Sequence, residues 1–486
     1  MKSISIKLIL AILCIGSSCK KMQTITVMDK RTDLFPDYSD VTIPSNIAPL
    51  NFQIREESTR YRVRFIAGSD SFDVSCNRLV DIPPKKWEKL LTGNTGKTLK
   101  IRIFAEKERH WEQYPDLSLR IAAEAVDPYI AYRLIKPGYE YWDRMGIYQR
   151  HLESFSETPV LVNTLTDGSC MNCHAFCKNN PQKMLFHNRA THAGTILIDN
   201  GQISKLNTKT ADNISAAVYP RWHPQGRYIA FSTNQTSQTF HSVHPNLIEV
   251  YDAASDLVIY DTETQTLSSH PYIHSTQRLE TFPEWSPDGR YLYFCSAPAL
   301  QMPDHFDSLR YDLFRIDFDP ATGKTGAKIQ YAWQPSKFGK SVSFPRISPD
   351  GRFMVVCLSD FGTFPIWHHE TDLYLLDLES GEVEEMTTVN SPASDSYHAW
   401  SSNGRWLIIS SRRIDGLHSR LYITYFDAEG NFHKPFLLPQ KDPQLYEKSL
   451  KSYNVPEFVS GKIRTNIRQL ERVVKGESIN VSQPAK

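Results

Sequence analysis

From residue 219 onward the chain repeats one alternation of apolar and polar positions. Four copies read YPRWHPQGRYIAFS (219–232), FPEWSPDGRYLYFCS (282–296), FPRISPDGRFMVVCLS (344–359) and YHAWSSNGRWLIISS (397–411). Each has an aromatic approach, a polar turn ending in Gly, and an apolar run of strand length. A second strand follows each: DLVIYD (256–261), DLFRID (312–317), DLYLLD (372–377) and LYITYFD (421–427). Polar turns such as ETQT and ESGE then lead to a last edge strand. The Gly of the turn fits a position of positive φ, where a Cβ is disfavoured. The repeat thus predicts successive four-stranded sheets joined by loops.

The same order of strand, loop, strand, turn and strand recurs in weaker form in NPQKMLFHNR (180–189) and GTILIDNGQISKLN (194–207), which predicts a fifth copy ahead of the four. Further upstream, LNFQI, YRVRFI, FDVSC, TLKIRIFAE and SLRIAAEAV alternate strands with turns, interrupted by the helical run PKKWEKLL. That spacing predicts an immunoglobulin-like sandwich over 41–135. Residues 127–155 are dense in aromatics, and the segment is expected to pack across both domains rather than to hang free.

The repeat resembles the periplasmic TolB-type propeller, kin to WD-repeat blades, over about 219–440. The resemblance implies an all-β chain: an N-terminal β-sandwich followed by a five-bladed β-propeller, with six blades as the alternative. It says little of function, because propellers host enzymes, binders and scaffolds. The expected organisation is a signal peptide at 1–18, a tether at 19–40, the sandwich at 41–135, an aromatic-rich connector at 136–165, the propeller at 166–440, and a closing segment and tail at 441–486.

The N-terminus, MKSISIKLILAILCIGSSCKK, carries early lysines, an apolar run and small residues before Cys19, the pattern of a secretory signal. Gly16-Ser17-Ser18-Cys19 resembles the lipobox of bacterial lipoproteins, although Gly16 stands where leucine is usual. The resemblance implies lipidation of Cys19 and an envelope location: anchored to the outer membrane, facing the periplasm, with periplasmic or outer-membrane proteins as partners on the propeller face. A net charge of +1 offers no basic footprint for nucleic acid.

The chemistry visible in the sequence is CMNCHAFC at 170–177, expected to lead into the innermost strand of the weak repeat. C-x-x-C-H is the attachment pattern of c-type haem: Cys170 and Cys173 would form thioethers and His174 would be the proximal iron ligand. Zinc is the less favoured alternative, since four donors in eight residues crowd a tetrahedron. A redox pair or a disulfide clip are the others, and Cys177 has no assigned role. Cys295 and Cys357 fall in apolar strands and read as core.

The loops that precede the second strands, at 188–193, 233–255, 297–310, 360–371 and 412–419, hold His192, His241, His244, His305, His368, His369 and His418, together with Met302. The repeat places them on the face to which the haem motif opens. His192 or His187 is the expected distal ligand, while Met184 reads as core. These readings favour one haem c serving electron transfer or redox and ligand sensing. The alternative is a scaffold, or a glycan- or protein-binding propeller, in which C-x-x-C-H is a structural metal or disulfide site. No G-x-S-x-G nucleophile elbow is present, and the reading leans against a hydrolase.

Overall fold

The computed structural model describes residues 24–108, 110–136, 144–244 and 246–483. The Cys19 site and the 1–18 signal lie outside these residues. The chain is all-β, an N-terminal sandwich and a propeller. In the sandwich, strict alternation along Tyr61–Ala67 buries Tyr61, Val63, Phe65 and Ala67 and turns Arg62, Arg64 and Ile66 outward. Tyr61–Ala67 pairs with Thr98–Lys107 and Asp70–Cys76. A smaller sheet of Leu34–Phe35, Phe52–Ile54 and Leu79–Val80 shares its core. Helix Pro84–Thr92 seals one end with Trp87, whose ring meets Phe65 edge-on at 6.0 Å.

Among the described residues the propeller is built from six sheets of like design. Four are the repeats read from the sequence, with inner strands Ala217–Trp222, Arg278–Trp285, Ser341–Ile347 and Asp395–Trp400. The weak repeat is the first sheet, with Met171–Phe176 as its inner strand. The sixth is assembled from both ends of the chain: Tyr129–Ile135, Met145–His151 and Glu157–Val162 combine with Ser452–Val459, which takes the inner position. Much of the aromatic segment 127–155 therefore lies in strands of the propeller. Each inner strand contacts the next, and Ser452–Val459 touches both Asp395–Trp400 and Met171–Phe176, so the ring is closed.

One local device recurs in all six inner strands. The ladder slips register there, and the residue at the slip has positive φ: Cys173, Tyr219, Phe282, Phe344, Tyr397 and Val455, at 41° to 55°. Such a bulge re-aims a side chain out of the pleat, at a backbone cost that non-Gly residues carry only where packing compensates. In each case the side chain turns toward the central channel. CMNCHAFC is thus largely inner strand, not the loop leading into it.

The turns after the inner strands behave as their sequences predict. Gly226, Gly289, Gly351 and Gly404 all have positive φ, from 67° to 83°. Gly289 is the tightest, because its carbonyl accepts from His223 Nε2 at 3.0 Å and a Cβ would sit 2.3 Å from that nitrogen. The sandwich docks on the fifth sheet through polar bonds: Thr42 Oγ1 to His433 Nδ1 at 2.8 Å, Ser402 Oγ to Asp127 at 2.6 Å and Asn51 to the Lys441 carbonyl at 3.0 Å. Gly289→Val should therefore destabilise the propeller by about 2–4 kcal/mol. Equilibrium denaturation tests this, and a variant as stable as the parent would show that the turn tolerates a β-branched side chain.

Candidate functional site

The six bulges gather at one mouth of the central channel. There Tyr219 meets Phe282 at 4.7 Å between ring centroids, Phe282 meets Phe344 at 5.7 Å, and Phe344 meets Tyr397 at 5.0 Å. Cys173 and Val455 complete the collar and line a cavity of about 360 Å³ with these rings. Arg133, Arg189, Arg221 and Arg346 line it too, and among the described residues no carboxylate does. Arg133 donates to Asn172 Oδ1 and, with the Asn454 amide turned, to its oxygen at 3.2 Å. Among the described residues, neither Arg133 nor Arg189 has a carboxylate partner within ion-pair distance. The mouth is therefore aromatic and positively charged.

Two residues past each bulge lies a second layer: Ala175, Arg221, Glu284, Arg346, Ala399 and Glu457. Glu284 accepts from Arg221 Nε at 2.5 Å and from its Nη2 at 3.2 Å, and its Oε2 lies 3.4 Å from Arg346 Nη1. Glu457 is held more loosely, 3.9 Å from Arg221 and 3.8 Å from His174. Burial raises the Glu457 carboxyl to about 7, against the pull of Arg221 and Arg346. Burial, with Arg221 beside it, brings Arg346 down to about 9. Below this waist, Trp222, Trp285 and Trp400 line a second cavity of about 360 Å³ that opens to the other side.

A roof partly covers the mouth. Strands Tyr228–Phe240 and Ile248–Asp261 run well beyond their sheet, so that Thr236, Ser237, Gln238 and Val250 reach the cavity. Phe364, Ile366 and Trp367 come from the loop opposite. The two sides are joined by His368, whose ring is buried between Glu249 at 3.1 Å and Glu370 at 3.0 Å. Asn246 accepts from the His369 backbone N–H at 3.1 Å. Burial opposes charge on His368, but its bonds to both carboxylates outweigh that and raise it to about 9. Burial likewise opposes charge on Glu370, and the His368 bond still draws it to about 2.

The residues expected to carry the haem are dispersed. Cys170 packs in a core with Met145, Met184 and Phe186. Cys177 packs in a different core beside Leu185 and Trp222, and of the three thiols Cys173 alone lines the mouth, with His174 beside it in the wall. The His174 ring is buried, edge-on to Phe176 at 6.1 Å, and neither ring nitrogen has a hydrogen-bond partner. Burial, and then Arg133, holds it neutral, at about 3. His187 is buried, with Nδ1 3.2 Å from Thr195 Oγ1, and His192 pairs with Asp167 at 2.8 Å. Met184 is core, as expected.

Haem attachment requires two thiols and the imidazole on one open face, and this packing does not supply it. Among the described residues no group of three or more His, Cys, Asp and Glu side chains is placed to hold a metal, so the zinc alternative falls as well. Cys76, Cys170, Cys173, Cys177, Cys295 and Cys357 are free thiols, which removes the disulfide clip. None of the seven loop histidines lines the mouth. They serve loop packing instead: His241 stacks on Phe306 at 5.5 Å, and His418 pairs with Asp415 at 2.7 Å.

No protein-family model matches the chain. It is similar to a protein of Bacillus subtilis (strain 168) named as the uncharacterized peptidase YuxL, 27% identical over 237 residues, which cover 42% of this chain and 31% of that protein. The chain spans about a third of the length of that relative. Solved structures resemble it only loosely: a prolyl endopeptidase (TM-score 0.37, 12% identity, 71% of this chain and 48% of that one) and an oligogalacturonate lyase in complex with manganese (TM-score 0.35, 13%, 63% and 72%). Likenesses this slight carry no argument, and the propeller rests on the sheets themselves. The peptidase relative, with the packing of CMNCHAFC, overturns the electron-transfer reading and the leaning against a hydrolase.

Arg133 and Arg189 were not singled out by sequence reasoning, because they come from different sheets and share no motif. The aromatic collar left a trace, as YPR, FPE and FPR open three of the repeats. The latch that His368 forms with Glu249 and Glu370 across the roof has a pH signature. The raised His368 contributes stability that is complete below its unfolded value of 6.5 and lost as pH rises through about 9. The depressed Glu370 contributes stability that is complete above 4.5 and lost as pH falls toward about 2. The stability difference between wild type and His368→Gln should be greatest between these limits and shrink above pH 8. A difference independent of pH from 5 to 10 would show that His368 carries no charge in the latch.

Proposed function

We propose that this chain is a substrate-binding propeller of the peptidase type, which takes a carboxylate-bearing peptide into the aromatic mouth of its channel. The observation that carries the reading is a cavity that, among the described residues, is lined by four arginines, two of them without a carboxylate partner, and by no acidic side chain. A half-buried guanidinium in that state gains from a carboxylate, which it binds in bidentate fashion. The rings of Tyr219, Phe344 and Trp367 offer flat apolar surface to the rest of the ligand. The similarity to a protein named as a peptidase supports a peptide rather than another anion. Glu457, held near neutrality beside the cavity, is a group able to exchange a proton with whatever binds there.

An envelope location belongs to the same proposal and is supported by the pattern ending at Cys19. Under it the propeller meets peptides outside the cytoplasm, and Cys19→Ala moves the protein from the membrane to the wash-soluble fraction. A variant that stays membrane-bound through detergent-free washing would remove the anchor from the reading.

The mouth is tested by calorimetry with short acidic peptides, with cleavage of the same peptides followed by mass spectrometry. Arg133→Ala and Arg189→Ala should each weaken binding about tenfold or more, as loss of a charge-assisted hydrogen bond implies. Binding should also weaken as salt is raised. If both variants bind as the parent does, the ligand does not sit in this mouth.

A further inference from the structure

The mouth and the tryptophan-lined cavity below it share Arg221 and Arg346 as walls. The partition between them is therefore the ion-paired set Arg221–Glu284–Arg346. Its central bond is two-pronged, and all three side chains are largely buried, at 21%, 6% and 10% exposure. A polymer threading the propeller would have to part these pairs and leave charges unpartnered in a closed space, which is strongly unfavourable. A ligand entering under the roof stops at the waist.

We infer that the channel is a dead end and that the group it reads is the free α-carboxylate of a peptide, inserted C-terminus first. This rests on the peptide-binding reading above. An internal segment without Asp or Glu would bring only neutral amides to the depth of the arginines, and one with an acidic side chain would still have to turn back within about 360 Å³ already narrowed by four rings. A leading N-terminus would bring an ammonium against guanidinium groups, with no carboxylate among the described residues of the cavity wall. A C-terminal carboxylate brings one compact anion, which Arg133 and Arg189 can meet from the sides while the waist closes the floor. Below the waist the way is further obstructed by Asn179, whose amide donates to the Phe458 carbonyl at 2.9 Å and the Trp400 carbonyl at 3.3 Å.

The experiment uses the wild-type protein and one short peptide sequence in three forms: free acid, C-terminal amide, and amide with an internal Glu. Binding is read by calorimetry at pH 7 and low salt. The dead-end inference expects the free acid to bind and both amidated forms to bind at least about tenfold more weakly. If the amide with an internal Glu binds as well as the free acid and both depend on Arg133 and Arg189, the mouth still reads carboxylates but the end-on inference is overturned. If no form binds, the peptide reading falls and takes the inference with it. If the plain amide binds as tightly as the acid, the α-carboxylate is not the group recognised.

Discussion

A ring of sheets has no stable partial form, because its first and last members each leave an inner face and an edge unpaired until they meet. Here closure is carried by the antiparallel pairing of Tyr129–Ile135 with Ser452–Val459. The pairing brings Arg133 to one side of the channel mouth and seats Glu457 at the waist. It also sets Glu457 against His174 and the backbone N–H of Phe176, across the seam to the first sheet. The joint that holds the ring together therefore also supplies part of the site. The sandwich follows from the same constraint: the strand that begins at Tyr129 directly follows the sandwich, which docks on the fifth sheet through Asp127 and Glu124.

The bulge in every inner strand makes a channel out of what would otherwise be a packed axis. A regular strand would alternate its side chains between neighbouring sheets. The slip at Tyr219, Phe282, Phe344 and Tyr397 points an aromatic ring inward instead, and two residues later it places Arg221, Glu284 and Arg346 in a layer of alternating charge. The rings of the collar touch one another, and the Arg346 guanidinium lies 3.7 Å from the centroid of Phe344. Contacts of this kind hold the unfavourable backbone at the bulge in place.

Sheets two to five were legible because each announces itself with an aromatic, a P-Q-G, P-D-G or N-G turn and an apolar strand. The sixth was not, because its strands come from Tyr129–Val162 and Ser452–Val459 and no local pattern joins them. The aromatic run at 127–155 gave only the density of a packed segment, without the turn signals of a repeat. The inner strand of the first sheet was hidden by its own composition: where its neighbours read YPRW or FPEW, it reads CHAF, and thiols at that spacing point to chemistry before they point to structure. The arginine pair was illegible for the same reason as the sixth sheet, since Arg133 and Arg189 are brought together only by the closed ring.

The fate of the C-x-x-C-H run turns on direction rather than on residue type. The register slip between Asn172 and Ala175 sends Cys173 toward the mouth while Cys170 stays in the apolar core between sheets one and six. Two thiols three positions apart would suit one ligand on a smooth turn, but across a bulge they serve different surroundings. The thiol that reaches the mouth takes the place held by Tyr219, Phe282, Phe344 and Tyr397 in their own sheets. Being small, it leaves open the side of the collar next to Arg189. The gap in the aromatic ring and the arginines without carboxylate partners therefore lie together, and it is there that the propeller has both the room and the charge to hold an anion.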